Sequence, residues 1–457
     1  MDRVAPNREK TEGASVKSDS VGGLIFDRPE EGLFGVCRSV FSDPAVFELE
    51  MRRIFEGTWV YLAHESQVPE PGDFMVIRIG QRSVIVVRAG NGRINAFFNA
   101  CAHRGAALCA TERGSVRSFV CSYHSWAYDL DGRNIHIKDR ESGGYSKQFA
   151  EHPPDLTPVA RIDSYRGFIF ASLNPDVAGL QEHLGAASGF IDLLVDQSPQ
   201  GLEILKGSST YRVRANWKMH MENGIDNYHF EVVHQNYVKV LQHRARHAAE
   251  NPDQRTLLAG FVREEWMDNT GWYDLGNGHA LTCFPAASPE SRPSWDRREE
   301  LNARLGKERA DWLLHRQRNL LVFPNVYLMD QASTQIRVIR PVSPGISEVK
   351  SYCFAPRGES ARAREIRIRQ FEDFFNASGM ATPDDLAVFE AVQIGCEANG
   401  ELRQRFGRGL GRANAGGDER SRSLGIKPAY SGDRAPDETI FRGVYRHWAR
   451  LMSTPEK

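Results

Sequence analysis

The chain has 457 residues, with 58 Lys plus Arg against 59 Asp plus Glu. That length exceeds one small core and implies two domains or one with a large insertion. Its near-zero net charge excludes a nucleic-acid or membrane-surface role resting on bulk charge. The first twenty residues are polar and charged, and seven cysteines are too few for a disulfide scaffold of this size. No run approaches the ~18 consecutive apolar residues of a spanning helix. The chain reads as soluble and cytoplasmic.

Residues 1–25 read as a loosely attached arm. Residues 42–58 carry a helix signal, with Ser42 or Asp43 to cap it, Pro44 in its first turn, and Phe47, Met51 and Ile54 on one face. The period then shortens. Residues 74–79, 83–87 and 94–98 are β-type runs separated by glycine turns such as Gly90-Asn91-Gly92. Cys101-x-His103 follows the third run, and Cys121-x-x-His124 comes after seventeen further residues. Strands are expected at 126–129 and 134–137, flanking the turn Leu130-Asp131-Gly132-Arg133, and at 167–173, where the small β domain closes.

Each ligand pair offers one thiolate and one imidazole. A C2H2 zinc finger groups its thiols on one loop and its imidazoles on another. A Rieske [2Fe–2S] cluster has two sulfurs on one iron and two imidazoles on the other, so two loops with one Cys and one His each can clamp both irons. A structural zinc site is the competing reading. The local text, Cys101-Ala102-His103-Arg104-Gly105 and Cys121-Ser122-Tyr123-His124-Ser125-Trp126, resembles the Rieske family.

From about residue 166 helices and strands mix. Residues 216–231 read as one helix with Trp217, Met221, Ile225 and Tyr228 on a stripe. Residues 325–329, 334–339 and 348–354 read as strands of an antiparallel sheet, and 360–376 and 383–396 as helices, the second capped by Thr382 with Pro383 at its first position. Residues 400–435, rich in Gly, Arg, Ser and Asp, read as a long surface loop. Gly407-x-Gly409-x-Gly411 within it is not a dinucleotide fingerprint, since no strand precedes it and the spacing is wrong, so no NADH site is evident.

A second metal signal lies in Glu222-Asn223-Gly224-Ile225-Asp226-Asn227-Tyr228-His229 followed by His234. Residues five apart on a regular helix diverge by about 140°, so this spacing needs a distorted or ending helix. Two His and one carboxylate on one face, with other positions open, is the arrangement for non-heme Fe(II) oxygen chemistry. Asp384 and Asp385 are the best candidates for the carboxylate, and a charged first helical turn is the competing account of both.

With both motifs in order, residues 40–400 resemble the large (α) subunit of Rieske non-heme iron aromatic-ring-hydroxylating dioxygenases. The resemblance implies an α+β fold. It consists of an N-terminal arm and helix packing on the catalytic domain (1–58), a small all-β Rieske domain (59–165), and a larger mononuclear-iron domain with an antiparallel sheet covered by helices (166–457). It implies that Cys101, His103, Cys121 and His124 hold the [2Fe–2S] cluster, and that His229, His234 and Asp385 hold Fe(2+), the second Asp of such a pair being the family's usual ligand. Asp226 matches the family's bridging aspartate, accepting hydrogen bonds from His229 and, across a subunit boundary, from His124. The position after His124 is often glycine in this family; Ser125 is small, so little effect is expected. The segments Leu321–Gln335 and Asn376–Leu386 most resemble the benzoate, toluate, anthranilate and halobenzoate group. A pocket for such an acid needs apolar lining and a donor for the carboxylate. Met219, Met221, Ile225, Val233 and Leu328 are candidates for the first; His220, Asn223 and Arg337 for the second. The implied reaction is cis-dihydroxylation of a single-ring aromatic acid with O2. Electrons come from an NADH-dependent reductase, directly or through a ferredoxin, and the assembly is an α3β3 hexamer with a small β subunit. The alternatives are a Rieske monooxygenase, such as an O-demethylase or hydroxylase, and a non-enzymatic electron carrier.

Overall fold

The computed structural model describes residues 23–247, 269–331 and 333–453. Most of the arm expected at 1–25 lies outside these; at its end, Ile25–Arg28 pairs antiparallel with Leu33–Val36. The expected helix at 42–58 forms as Pro44–Glu50 and then widens into a π turn at Met51–Phe55. Asp43 is its cap: the Ala45 N–H donates to its carboxylate at 2.7 Å. Glu50 is fully buried at the end of this helix. Its carboxylate accepts from Lys218 Nζ at 2.6 Å and from the indoles of Trp217 and Trp448 at 2.8 Å. A buried charge is tolerated when paired and saturated in this way.

The three predicted β runs form Asp73–Ile79, Arg82–Arg88 and Ile94–Phe98, joined antiparallel with Arg113–Ser115 in a four-stranded sheet. A three-stranded sheet of Phe119–Val120, Ala127–Tyr128 and Asn134–His136 lies beside it. Phe74, Ile85, Val87, Phe97, Phe119, Trp126 and Tyr128 pack into one small core that also contains Cys101 and Cys121. Phe168–Ser172 pairs with Arg161–Tyr165 and Val60–His64.

The remainder is built on a ten-stranded antiparallel sheet. Its centre runs Ile346–Pro356, Thr334–Ser343, Val326–Asp330, Arg316–Val322, His279–Pro285 and Gly271–Gly276. Alternate residues face opposite ways along a strand, and here both faces are covered. Tyr327, Met329 and Ile339 face one core with the helices Trp217–Asn223, Gln235–His247, Thr382–Ala398 and Ile440–Met452. Leu328, Ile336 and Val338 face the other, with Ala187–Val195 and Lys307–Leu314. The fold is thus α+β, a small β domain with a helix-covered antiparallel sheet. No helix among the described residues is long and apolar enough to cross a membrane.

Three expectations need correction. The helix predicted over 216–231 ends at Asn223. A Cβ on Gly224 would stand 2.5 Å from the Tyr327 ring, and Asn319 Nδ2 donates to the Gly224 carbonyl at 2.8 Å. Tyr228, beyond the break, is exposed rather than on the buried stripe. Thr382 is not a cap but the first helical residue, its hydroxyl donating to the Phe375 carbonyl at 3.1 Å. Residues 400–435 are not only loop: Tyr430–Gly432 pairs with Gly271–Gly276 and extends the main sheet, and Phe406 and Ile426 are buried.

Candidate functional site

The two Cys/His loops share one backbone plan. Cys101 N–H donates to the Ala106 carbonyl at 2.8 Å, and Gly105 N–H to the Cys101 carbonyl at 2.8 Å. Cys121 repeats this with Trp126 at 2.8 Å and Ser125 at 2.9 Å. The fourth residue after each Cys is left-handed, Gly105 at φ 75° and Ser125 at φ 58°. The expectation that Ser125 has little effect rested on size; the relevant property is conformation. A non-glycine residue there costs about 1–2 kcal/mol.

The loops converge. The His103 and His124 rings have centroids 4.6 Å apart, and Trp126 stacks on His103 at 4.7 Å with planes 9° apart. Arg104 donates to Tyr123 Oη at 3.1 Å. Cys101 and Cys121 are buried, and neither is in a disulfide. His124 Nδ1 is buried without a hydrogen-bond partner. Partial desolvation, then the charges of His103, Arg104 and Lys138, hold His124 below its usual pKa, which favours the neutral form a metal needs. Two buried thiols beside two close imidazoles, one with an orphaned inward nitrogen, fit a two-iron, two-sulfur group.

The second group forms where the broken helix meets Thr382–Ala398. The turn after Gly224 is held by Asp226, whose Oδ1 accepts the N–H of Tyr228 at 2.7 Å and that of His229 at 3.4 Å. His229 and His234 flank the short helix Phe230–Val233. Asp385, in the first turn of Thr382–Ala398, is buried. Its Oδ1 lies 3.2 Å from His234 Nε2 and 3.5 Å from His229 Nε2. One ligand atom from each of the three falls within 4.8 Å of the others. Asp384 Oδ2 is 3.9 Å from His234 Nδ1, the opposite ring nitrogen, and beyond hydrogen-bond reach. Burial alone would raise the Asp385 pKa; the two imidazoles and Arg337 outweigh it and hold the carboxyl below its usual value. Burial disfavours the His229 imidazolium, but Asp226, 3.3 Å from Nδ1, and Asp385 outweigh it and raise its pKa. Asp385 Oδ1 and His234 Nδ1 are buried without hydrogen-bond partners, as are Asn319 Oδ1 and Arg337 Nε. Buried polar groups are normally satisfied, so this cluster of orphans fits a metal ion and a polar ligand.

Two families match along the chain: the Rieske [2Fe-2S] domain over residues 58–153, and the ring hydroxylating alpha subunit catalytic domain over residues 205–454. The chain belongs to the ring-hydroxylating oxygenase α subunits. This α subunit is 42% identical over 436 residues to toluate 1,2-dioxygenase subunit alpha of Pseudomonas putida, covering 95% of this chain and 94% of that one. It is 42% identical to the 2-halobenzoate 1,2-dioxygenase large subunit of Burkholderia cepacia, with 96% and 94% covered. The anthranilate 1,2-dioxygenase large subunit of Acinetobacter baylyi is 41% identical, with 94% and 92% covered. The fold matches naphthalene 1,2-dioxygenase from Rhodococcus sp. with a TM-score of 0.79 over 93% of this chain and 95% of that one, at 24% identity. Its cofactors are therefore a Rieske [2Fe–2S] cluster and a mononuclear iron.

Two cavities border the α subunit's His229 and Asp385. One, about 30 Å³, is also lined by His234, Phe230, Met329, Phe374 and Phe375. The other, a cleft of about 430 Å³, is lined by Asp226, Met219, Val233, Phe406 and Arg403. Of the five apolar lining candidates, Met219 and Val233 reach the cleft, Met221 and Ile225 are buried in the core, and Leu328 faces the opposite side of the sheet. Strand alternation puts Met329, not Leu328, on the side of His229, His234 and Asp385. Phe230 was findable as the residue after the first histidine; Phe374 and Phe375 reach the cavity from an unrelated helix end. Among the three polar candidates, His220 stacks edge-on against Phe389, and burial and then Arg337 push its pKa down to about 3. It is neutral. Asn223 bridges His229 Nε2 at 3.3 Å and the Arg337 guanidinium at 3.2 Å.

Proposed function

We propose that this α subunit dihydroxylates a single-ring aromatic carboxylic acid of the benzoate type, with Cys101, His103, Cys121 and His124 holding the cluster and His229, His234 and Asp385 holding the iron. The observation that carries the substrate class is a buried guanidinium with no anion within ion-pair distance among the described residues. Arg337 is 2% exposed, and no ion pair to it is present among the described residues. Its guanidinium lies 5.0 Å over the Phe375 ring and donates to Asn223, and both of those residues line the small cavity beside the iron ligands. A buried charge is costly unless paired, and a bound carboxylate supplies the pair in bidentate geometry. Toluate, halobenzoate and anthranilate, named in the relatives, are single-ring acids.

When bound, the two groups supply single-electron delivery and O2 activation. The chain's own residues do the rest. Arg337 anchors the acid and sets which ring carbons face the iron ligands. Phe374, Phe375 and Met329 exclude water around the ring. Asp226 fixes the His229 imidazole and links it to the cleft. We take that cleft as the place where His124 of a neighbouring copy approaches in an α3 ring within an α3β3 hexamer. An NADH-dependent reductase, directly or through a ferredoxin, donates at the cluster. The exposed Tyr123, Tyr228 and Val232 support such packing. The division into 1–58, 59–165 and 166–457 belongs to the same reading, and the matched spans support it.

The test is a single turnover of reduced, iron-loaded protein under 18O2 with a panel of benzoates, read by mass spectrometry. Two labelled atoms in a diol-derived product are expected; one labelled atom would establish the monooxygenase alternative. Arg337→Gln is expected to lower kcat/KM for the best acid by roughly 30- to 150-fold, about 2–3 kcal/mol, and to leave its neutral methyl ester nearly unchanged. Equal losses on acid and ester would rule out Arg337 as the anchor.

A further inference from the structure

We propose that the chain carries a second acid-binding site, for a small aromatic carboxylate, in a cavity between the small β domain and the main sheet. The cavity holds about 550 Å³, within the ~300–1,000 Å³ of small-molecule sites. Asp73–Ile79 of the small domain contributes one wall, and Thr334–Ser343 and Ile346–Pro356 of the main sheet contribute the other. No described residue lines both this cavity and either cavity beside His229 and Asp385. An acid bound here contacts both domains, apart from Arg337.

The Tyr61 hydroxyl points to a ligand. Tyr61 is 1% exposed, yet its Oη has no hydrogen-bond partner among the described residues. Its backbone is already satisfied by Asn325: the Tyr61 N–H donates to Oδ1 at 2.9 Å, and its carbonyl accepts from Nδ2 at 3.0 Å. Burial, and then the neighbouring phenol of Tyr352, raise the Tyr61 pKa, so the O–H stays protonated and is left to donate. Buried hydroxyls are normally paired.

The lining charge asks for an anion. Arg78, Arg212, Arg340 and Lys350 stand against only two carboxylates, Glu112 and Glu348. Lys350 Nζ pairs with Glu112 across the domain junction at 2.6 Å. Glu348 is shared: Arg212 Nε lies 2.7 Å from one of its oxygens and Arg340 Nη2 2.8 Å from the other. Burial alone would raise the Glu348 pKa, but the two guanidiniums outweigh it and keep the carboxyl ionised. One carboxylate thus offsets one of two guanidiniums. Arg78 donates to the Gln81 carbonyl at 3.0 Å and has no ion pair among the described residues. The rest of the lining is apolar, including Phe55, Leu62, Met75, Ile77 and Ile339. A bare inorganic anion would leave those walls facing water. A surplus of positive charge, one free O–H and walls that include the rings of Phe55, Tyr61 and Tyr352 suit a flat apolar body bearing one carboxylate.

The test is equilibrium dialysis of the oxidised, iron-loaded holoenzyme, without reductant, against labelled benzoate. Two sites per α subunit are expected, and one in Arg337→Gln, which removes the anchor beside the iron ligands. In the new site Arg340→Gln is expected to abolish binding, and Tyr61→Phe to weaken it roughly tenfold, both with the other site unchanged. Benzamide, a neutral molecule of the same shape, is expected not to compete there. One site in the wild type and none in Arg337→Gln would overturn the proposal. So would full competition by benzamide, which would reduce the site to an apolar cavity. If Arg340→Gln fails to fold, Tyr61→Phe, which loses a single oxygen, decides: weaker binding supports the proposal and unchanged affinity ends it. The Arg337 reading fails separately. A single site that survives Arg337→Gln and is lost in Arg340→Gln would end that reading and leave this one standing.

Discussion

Asp385→Ala is expected to empty the mononuclear iron site and lower turnover by at least about three orders of magnitude, while the Rieske spectrum stays intact. The expectation follows from charge and geometry together. Among the described residues, Asp385 is the only anion that reaches the inner face of both imidazoles, at 3.2 and 3.5 Å. It is already ionised in its buried position, because His229, His234 and Arg337 more than offset the cost of burial. Removing it leaves two imidazoles and a buried guanidinium around the position of a divalent cation, while Asp226 and Asp384 stand only at the outer ring nitrogens. Loss of a single preorganised electrostatic partner costs on the order of 10²–10³-fold elsewhere, and loss of the metal itself costs more. Asp384→Ala is the matched control. Asp384 sits 3.9 Å from the outer nitrogen of His234 and its side chain is about a third exposed, so its removal is expected to cost less than about tenfold in iron affinity. Iron per subunit, measured by plasma emission on both variants, checks the pair. The assignment falls if Asp384→Ala loses the metal and Asp385→Ala keeps it.

The parts of this molecule legible in its sequence are those where chemistry restricts composition. Clamping two irons with two thiols and two imidazoles leaves few ways to write the loops, and the matched backbone bonds at Cys101 and Cys121 explain why the text repeats. The bracing of those loops was not legible. Tyr128 stands seven residues after Cys121 in a strand of two residues, too short for alternation to show which side it faces. The helix break at Gly224 was hidden for a different reason. The apolar stripe through Trp217, Met221 and Ile225 carries straight across the break, because Ile225 is buried in the same core from a turn. What stops the helix is the ring of Tyr327 and the amide of Asn319, both far along the chain. The same holds for Tyr430–Gly432, whose composition reads as loop until a sheet edge is present to pair with it. Ser125 shows the converse error: its size was evident, but its φ of 58° depends on the loop around it.

Asp226→Ala is expected to retain both metal groups and yet nearly abolish turnover. The carboxylate has two separable roles. Through Oδ1 it closes the turn that follows Gly224, accepting from the Tyr228 and His229 amides; that contribution is about 1 kcal/mol of local stability. Through Oδ2 it holds His229 Nδ1 at 3.3 Å, which orients the ring and raises its basicity as a ligand. Losing an outer-shell carboxylate of this kind costs roughly 10–100-fold in metal affinity, which excess iron restores. The larger loss is expected in the proposed electron path. Asp226 lines the open cleft beside His229 and holds its Nδ1, while the ring's other nitrogen faces Asp385, so a donor that hydrogen-bonds Asp226 from the cleft is linked through one carboxylate to the His229 ring. Asp226→Asn separates the roles: its amide oxygen still closes the turn, but its charge is gone. Both variants are expected to bind iron and show a normal reduced cluster, and both are expected to reoxidise that cluster at least about 100-fold more slowly when O2 and substrate are mixed in by stopped flow. A structural role alone would leave Asn active and only Ala impaired. Intact iron content with wild-type reoxidation in Asp226→Ala would remove Asp226 from the path, and the subunit-ring reading of the cleft would lose its chemical basis.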